Sequence, residues 1–329
     1  MMFKRLLPFL LTGLVLITAC KSDNDETPTP QKTCRLTDSQ SITLYPNGSK
    51  DTVTSHYEYN NQGSMISVKQ VSSGGTTTNG IYTYDSRGFL SGLKTTTDGN
   101  NTSLSTVTYT YVQDKLSRTF TVYESATEQY TSDYNYNTDG KMTYMVWQGK
   151  YFSNGVTTLT YKDSILNLYT DRKLTGYIEY RERDQFAYTT RYTVETDADG
   201  HILSESTGQD GEVRYQYNAD GELIKQDSYY NNKLIAYTEY EYDTKKDIGS
   251  LTTPIPNGHI ANMYGINVHN ILKYVYYSDT NPAQTLQQSS SYLYEYEYNE
   301  QGYPTKKIQK YTYNGQTRIT TTTYNITCQ

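Results

Sequence analysis

Tryptophan occurs once in 329 residues, cysteine three times and proline eight times. So few cysteines exclude a disulfide-dense small domain, and 22 glycines beside 8 prolines exclude a collagen-like chain. Basic runs are missing too: 29 Lys and Arg are scattered against 35 Asp and Glu, a net charge of −6. A nucleic-acid partner, which needs a basic face, is therefore not expected. There is no G-x-S-x-G, no phosphate-cradling glycine loop, and no helix-type metal spacing among His56, His201, His259 and His269. The sequence thus carries no catalytic signature and calls for no metal or cofactor.

The one long apolar run lies near the start. Lys4 and Arg5 precede Leu6 to Leu16, and Ile17-Thr18-Ala19 supplies a small-residue exit, so residues 1–19 read as a secretory signal. Ile17-Thr18-Ala19-Cys20 resembles the lipobox of bacterial lipoproteins, which implies acylation at Cys20. Residues 20–33 follow as a lipidated tether, polar, acidic and Pro-bearing, unable to bury a core. The acidic run after Cys20 resembles the surface-export signal of some Gram-negative lipoproteins. The expected address is the outer membrane, facing the cell surface or otherwise the periplasm, with the acyl group as the only membrane contact.

What is abundant is tyrosine, 38 residues. Many fall in a repeated string, Tyr-x-Tyr-Asn/Asp-x-x-Gly. It appears at Tyr57-Glu58-Tyr59-Asn60-Asn61-Gln62-Gly63, at Tyr82 to Gly88, Tyr134 to Gly140, Tyr215 to Gly221 and Tyr296 to Gly302. Degenerate copies begin at Tyr109, Tyr240 and Tyr311. A period of about 25 residues accommodates two strands of about nine residues and two turns. Tyr at i and i+2 share one face of a strand, and Asn/Asp followed by Gly suits the left-handed backbone of a tight hairpin. Consecutive hairpins make an all-β, antiparallel up-and-down meander of about 20 strands over residues 34–329. The rhythm stops at 244–272, where Pro254, Pro256, Asn257-Gly258 and Gly265 mark a long insertion suited to a plug or lid.

This pattern resembles the YD repeats of the RHS family. Together with the lipobox, length and chain ends it is also similar to a family of bacterial lipoproteins with a porin-like fold. The resemblance implies a porin-like barrel; it implies no activity.

Cys34 and Cys328 bracket the repeats. A flat meander of about twenty strands at ~4.8 Å would part its ends by roughly 90 Å, whereas a disulfide needs Cα atoms within about 7 Å. A Cys34–Cys328 bond therefore demands a closed barrel; two free thiols on the edges of an open sheet are the alternative. A lipid-facing barrel needs an apolar outer band. Glu222 to Tyr230 and Thr317 to Tyr324 offer polar residues on both faces, so the closed barrel is expected to stand in water with its tyrosines inside.

Two strings invite chemistry. Glu195-Thr196-Asp197-Ala198-Asp199-Gly200 matches the opening of a calcium loop, but it also follows the turn pattern of the repeat, the stronger reading. Among aromatics outside the repeat positions, Trp147, Tyr151 and Phe152 surround Gly149, and Tyr230 and Tyr277 belong to adjacent pairs in which one ring points outward. Such rings stack on sugars or pack on a protein partner. The functional expectation is a non-enzymatic surface or periplasmic lipoprotein that binds a glycan or a protein. The rival is a carboxylate-based glycoside hydrolase, since spaced acid pairs are not legible in sequence.

Overall fold

A computed structural model describes residues 33–98, 103–123, 128–153, 156–183, 186–208, 211–251, 269–278 and 287–329. The signal and Cys20 lie outside the described residues, as does most of the tether. From the first hairpins come β1 (Cys34–Leu44), β2 (Lys50–Tyr59), β3 (Met65–Ser72), β4 (Thr77–Tyr84), β5 (Leu90–Asp98), β6 (Ser103–Val112) and β7 (Lys115–Tyr123). The middle of the chain forms β8 (Glu128–Tyr136), β9 (Met142–Ser153), β10 (Val156–Thr170), β11 (Lys173–Arg183), β12 (Phe186–Thr196), β13 (Ile202–Ser206) and β14 (Gly211–Tyr217). The last part forms β15 (Leu223–Tyr230), β16 (Lys233–Lys246), β17 (His269–Ser278), β18 (Gln287–Tyr298), β19 (Pro304–Tyr313) and β20 (Gln316–Cys328).

Each strand pairs antiparallel with the next, and β20 returns to pair with β1 from Cys34↔Cys328 to Leu44↔Ile319. The fold is a closed 20-stranded up-and-down barrel. Cys34 and Cys328 are disulfide-bonded across the closing seam, with Cα atoms 4.0 Å apart. β16 continues to Lys246 and β17 opens at His269, so strands take up both ends of the 244–272 stretch. Ile248–Leu251 forms a 3-10 turn, and the rest, 252–268, lies outside the described residues.

The repeat residues have distinct tasks at one rim of the barrel. Asn60 opens its turn by accepting from two backbone amides, Gln62 N at 3.0 Å and Ser64 N at 2.9 Å. Asp85, Asn137, Asp197, Asn218 and Asn299 accept turn amides in the same way. Only the closing glycine is left-handed, with φ +90° at Gly63 and +79° at Gly221. The sequence reading of a left-handed Asn/Asp holds at Asn314-Gly315, with φ +47° and +73°; in the six longer turns it is corrected, since there that residue is a side-chain acceptor, an Asx turn. After each turn comes an aliphatic residue, then a bulge. Tyr59 pairs with Met65 while Glu58 pairs with Ser67, leaving Ile66 extra. At other bulges a hydroxyl covers the freed carbonyl, as Ser117 Oγ does for Thr110 O at 3.0 Å.

The second tyrosine of a hairpin commonly ties it to the hairpin before it; Tyr298 differs, donating to the Asp243 carboxylate. In the tie the hydroxyl donates to the backbone carbonyl of the preceding post-turn aliphatic: Tyr59 to Leu36 (2.8 Å), Tyr84 to Met65 (2.6 Å), Tyr111 to Leu90 (2.6 Å). Tyr169 to Met142, Tyr217 to Ile202 and Tyr242 to Leu223 repeat it at 2.9, 2.9 and 2.8 Å. Those aliphatics include the most deeply buried side chains, Leu36 and Ile202 among them.

The repeat tyrosines point inward. Asp247 and the 3-10 turn behind it meet Lys307 of β19, Tyr324 of β20, strand β1, and Tyr59 of β2, whose hydroxyl is 3.3 Å from Leu251 O. One short segment reaches the tyrosine faces of four neighbouring strands only from the concave side, where side chains converge. Burial there pushes the Tyr324 and Tyr240 phenols up to about 12, and Tyr296 higher still. The alternate residues carry exposed ion pairs: Arg118–Asp133 (2.5 Å), Glu241–Lys273 (2.6 Å), Glu297–Lys306 (2.6 Å), Glu295–Lys310 (2.5 Å). An outer face of this kind does not match acyl chains.

Replacing the Tyr84 hydroxyl, in Tyr84→Phe, removes one inter-hairpin hydrogen bond and should lower unfolding stability by about 1 kcal/mol; urea titration reads the change, and an unchanged midpoint would contradict the tie. The Cys34→Ser, Cys328→Ser double variant should keep its far-UV spectrum, because the β1–β20 ladder remains. Freed of a link spanning 294 residues, it should unfold at lower denaturant, with an entropic loss of up to about 5 kcal/mol.

Candidate functional site

Aromatic rings cluster on the inner wall of β16 to β19, where Tyr240, Tyr274, Tyr292 and Tyr311 are in contact, and again on that of β8 to β12. Antiparallel pairing lines residues up in rows. Tyr130, Gly149, Tyr161 and Arg183 form one row; Ser132, Trp147, Asp163, Arg181 and Tyr188 form the next. Tyr151 stands beside Glu128 toward the rim. Gly149 is required here by space. A Cβ on it would lie 2.1 Å from Tyr161 Cε1, so only glycine lets that ring cross the strand. Tyr161 then reaches Tyr130 and Tyr151, with centroids 6.2 and 6.3 Å away, and Tyr123 closes edge-on against Tyr130 at 5.8 Å.

Polar groups are threaded through these rings. Tyr130 donates to Glu128 at 2.6 Å and lies 3.1 Å from the Tyr151 hydroxyl; the Glu128 hydrogen bond is the chief reason its phenol is held far above the ordinary range. Arg183 lies over Tyr161 at 6.0 Å and Arg181 over Tyr188 at 5.9 Å. Asp163 Oδ1 is buried with no hydrogen-bond partner among the described residues. Further along the same face, Glu205 is buried and accepts from Tyr177 (3.3 Å) and Tyr215 (3.4 Å), while Arg181 holds Glu179 at 2.5 Å. Ring faces, one buried unpaired carboxylate oxygen and two guanidinium groups suit a flat, hydroxyl-bearing ligand.

Of the aromatics singled out in sequence, Trp147 and Tyr151 lie on this wall, two rows apart, and Tyr151 joins the ring cluster. Phe152, next along β9, faces the other side. Tyr277 is also on the outer face, stacked on Tyr237 with centroids 4.3 Å apart. Tyr230 has inward parity but sits on β15, well round the barrel, and is 56% exposed. Tyr130, Tyr161 and Asp163 were missed by sequence reasoning. The available signal was Gly149 in mid-strand, which marks a close approach.

Two acidic sets lie on the tyrosine rim: Asp197, Asp199 and His201, and Asp220, Glu222 and His269. In the first, Asp197 Oδ1 accepts from three backbone amides, Asp199, Gly200 and His201, and Oδ2 lies 2.8 Å from His201 Nδ1. The calcium-like string is therefore a repeat turn, with the Asp197 carboxylate engaged. In the second, Glu222 is 1% exposed. Asn218 donates to it at 2.9 Å and the His269 amide at 2.8 Å, pinning the start of β17. Burial alone would raise the Glu222 carboxyl, but the hydrogen bonds from Asn218 and His269 outweigh it and hold the group below its ordinary value.

No family model matches the chain. No curated protein matches it either. Among solved structures it is similar to a porin-like protein from Bacteroides uniformis ATCC 8492, at 15% identity and TM-score 0.37, over 89% of this chain and 98% of that one. A porin-like protein from Bacteroides vulgatus ATCC 8482 shows 10% identity and TM-score 0.34 over the same shares. A TcdB2-TccC3-TEV structure shows 13% identity and TM-score 0.43, over 83% of this chain and 14% of that chain. At such scores the barrel rests on its own strand pairing, and the YD-repeat resemblance rests on its motif.

Because the folded pKa of Glu222 is depressed, its contribution to stability is present above its ordinary value and is lost as pH falls through the folded one. Glu222→Gln should therefore flatten the acid limb of a stability–pH profile measured between about pH 5 and 2. An acid limb identical to that of the parent would rule the carboxylate out. Gly149→Ala should displace Tyr161 and perturb the near-UV tyrosine signal while leaving far-UV ellipticity in place.

Proposed function

We propose that the protein is an outer-membrane lipoprotein, acylated at Cys20, whose barrel binds a glycan without chemical turnover. The observation that supports this most is the ring cluster built around Gly149, with the unpaired Asp163 oxygen and the Arg181 and Arg183 guanidinium groups beside it. Pyranose rings present apolar C–H faces to aromatic planes and hydroxyls to carboxylates and guanidinium groups, and this wall offers both kinds of contact. For the hydrolase reading, Glu205 and Glu179 are the carboxylates in question. Both are already held, one by two phenols and the other by Arg181.

A glycan array probed with the protein should give saturable hits. Trp147→Ala and Tyr151→Ala should each weaken them about three- to tenfold, the worth of one aromatic stack. Uniform silence across the array, or equal binding by both variants, would leave the wall without this role. Membrane attachment is tested separately: Cys20→Ala should pass into the detergent-free soluble fraction as a folded protein, since the barrel's outer face carries exposed ion pairs.

A further inference from the structure

The repeat breaks twice at one place on the tyrosine rim. In β10 the string is Asn167-Leu168-Tyr169, with Asn where other hairpins carry the first tyrosine. In β12 it is Val194-Glu195-Thr196, followed by the ordinary turn Asp197 to Gly200, so Thr196 stands where other hairpins carry the second. Register supports the equivalence: Thr196 pairs with the post-turn aliphatic Ile202 across a bulge, as Tyr217 pairs with Leu223.

In the other hairpins that second ring is clasped. In several of them its hydroxyl donates to the preceding aliphatic's carbonyl, and in several the residue just before that aliphatic lies against the ring. Arg35 does so for Tyr59 (5.6 Å), Lys115 for Tyr136 (5.2 Å), Lys141 for Tyr169 (5.6 Å), and His201 for Tyr217, stacked at 4.9 Å. For position 196 the clasp is Lys173 and Leu174, and both are present. Where the ring would be there is instead a cavity of about 440 Å³, lined by Lys173, Leu174, Asn167, Ile202 and the 198–200 turn. Asn167, 6% exposed, spends its amide on Met142 O at 3.0 Å, and its Oδ1 has no donor among the described residues.

From this geometry we infer that the cavity is a binding site for a phenolic ring supplied in trans, seated between Lys173 and Leu174 like the missing tyrosine. The ammonium covers the ring face, Leu174 and Ile202 form the apolar floor, and the ligand hydroxyl donates to the Leu174 carbonyl or to Asn167 Oδ1. The inference is independent of the glycan reading, which concerns a different part of the wall. The same chemistry comes from a free phenol or from a tyrosine on a peptide.

Two probes separate these sources, p-cresol and N-acetyltyrosine amide, titrated into the ¹⁵N-labelled protein. Saturable shifts confined to residues around 171–174 and 198–202 are expected with p-cresol; shifts with both probes indicate a peptide-borne ring, and with p-cresol alone a free phenol. Thr196→Tyr should fill the cavity from within, abolish the shifts and raise the thermal midpoint. Lys173→Met should weaken binding severalfold with the fold intact, and p-xylene, which lacks the hydroxyl, should bind at least tenfold more weakly than p-cresol. Absence of saturable p-cresol binding, p-cresol binding unchanged in a folded Thr196→Tyr variant, or p-xylene binding as tightly as p-cresol would each overturn the proposal.

Discussion

A single closed sheet with few buried side chains must be held at the joins between hairpins, and the phenol-to-carbonyl hydrogen bond holds them. In a two-layer sandwich a face packs on a second sheet. Here, among the described residues, the inner wall has its own side chains and one short turn to lean on. At six hairpins the second tyrosine reaches across to the hairpin before it and satisfies a carbonyl beside the bulge. One residue thus contributes apolar area, cross-strand packing and a hydrogen bond, which accounts for tyrosine rather than phenylalanine at these positions.

The same logic explains the departures. Where a strand lacks its tyrosine, something else must fill the gap or the gap stays open. At Glu222 an acid stands where other hairpins place Arg, Lys, Phe, Tyr, His or Ser, and it is satisfied by Asn218 and by the start of β17. At Thr196 no side chain among the described residues fills the space. At Gly149 the exchange runs the other way, since the absent side chain lets Tyr161 cross the strand and build the aromatic cluster. Function on this barrel is therefore sought at breaks in the repeat, on a scaffold whose regular positions are occupied with holding it together.

The hairpin unit was legible because its causes are local. Alternation places Tyr57 and Tyr59 on one face whatever lies next to them, and Asn60 with Gly63 closes a turn within five residues. Strand number followed from the period, and closure was the condition that a Cys34–Cys328 bond would impose. The bulge and the acceptor role of Asn60 were not legible, because both depend on where freed backbone groups find partners.

Sequence by itself determined the class, the approximate strand count and the tyrosine face, since each follows from spacing along one chain. Only tertiary structure decided which of Trp147, Tyr151, Phe152, Tyr230 and Tyr277 share a wall, because a residue's neighbours across strands depend on register between hairpins that are distant in sequence. It also decided that Lys173 and Leu174 clasp an open cavity. That required knowing which earlier hairpin each tyrosine reaches, a relation that the closed ring of strands imposes and no local pattern encodes.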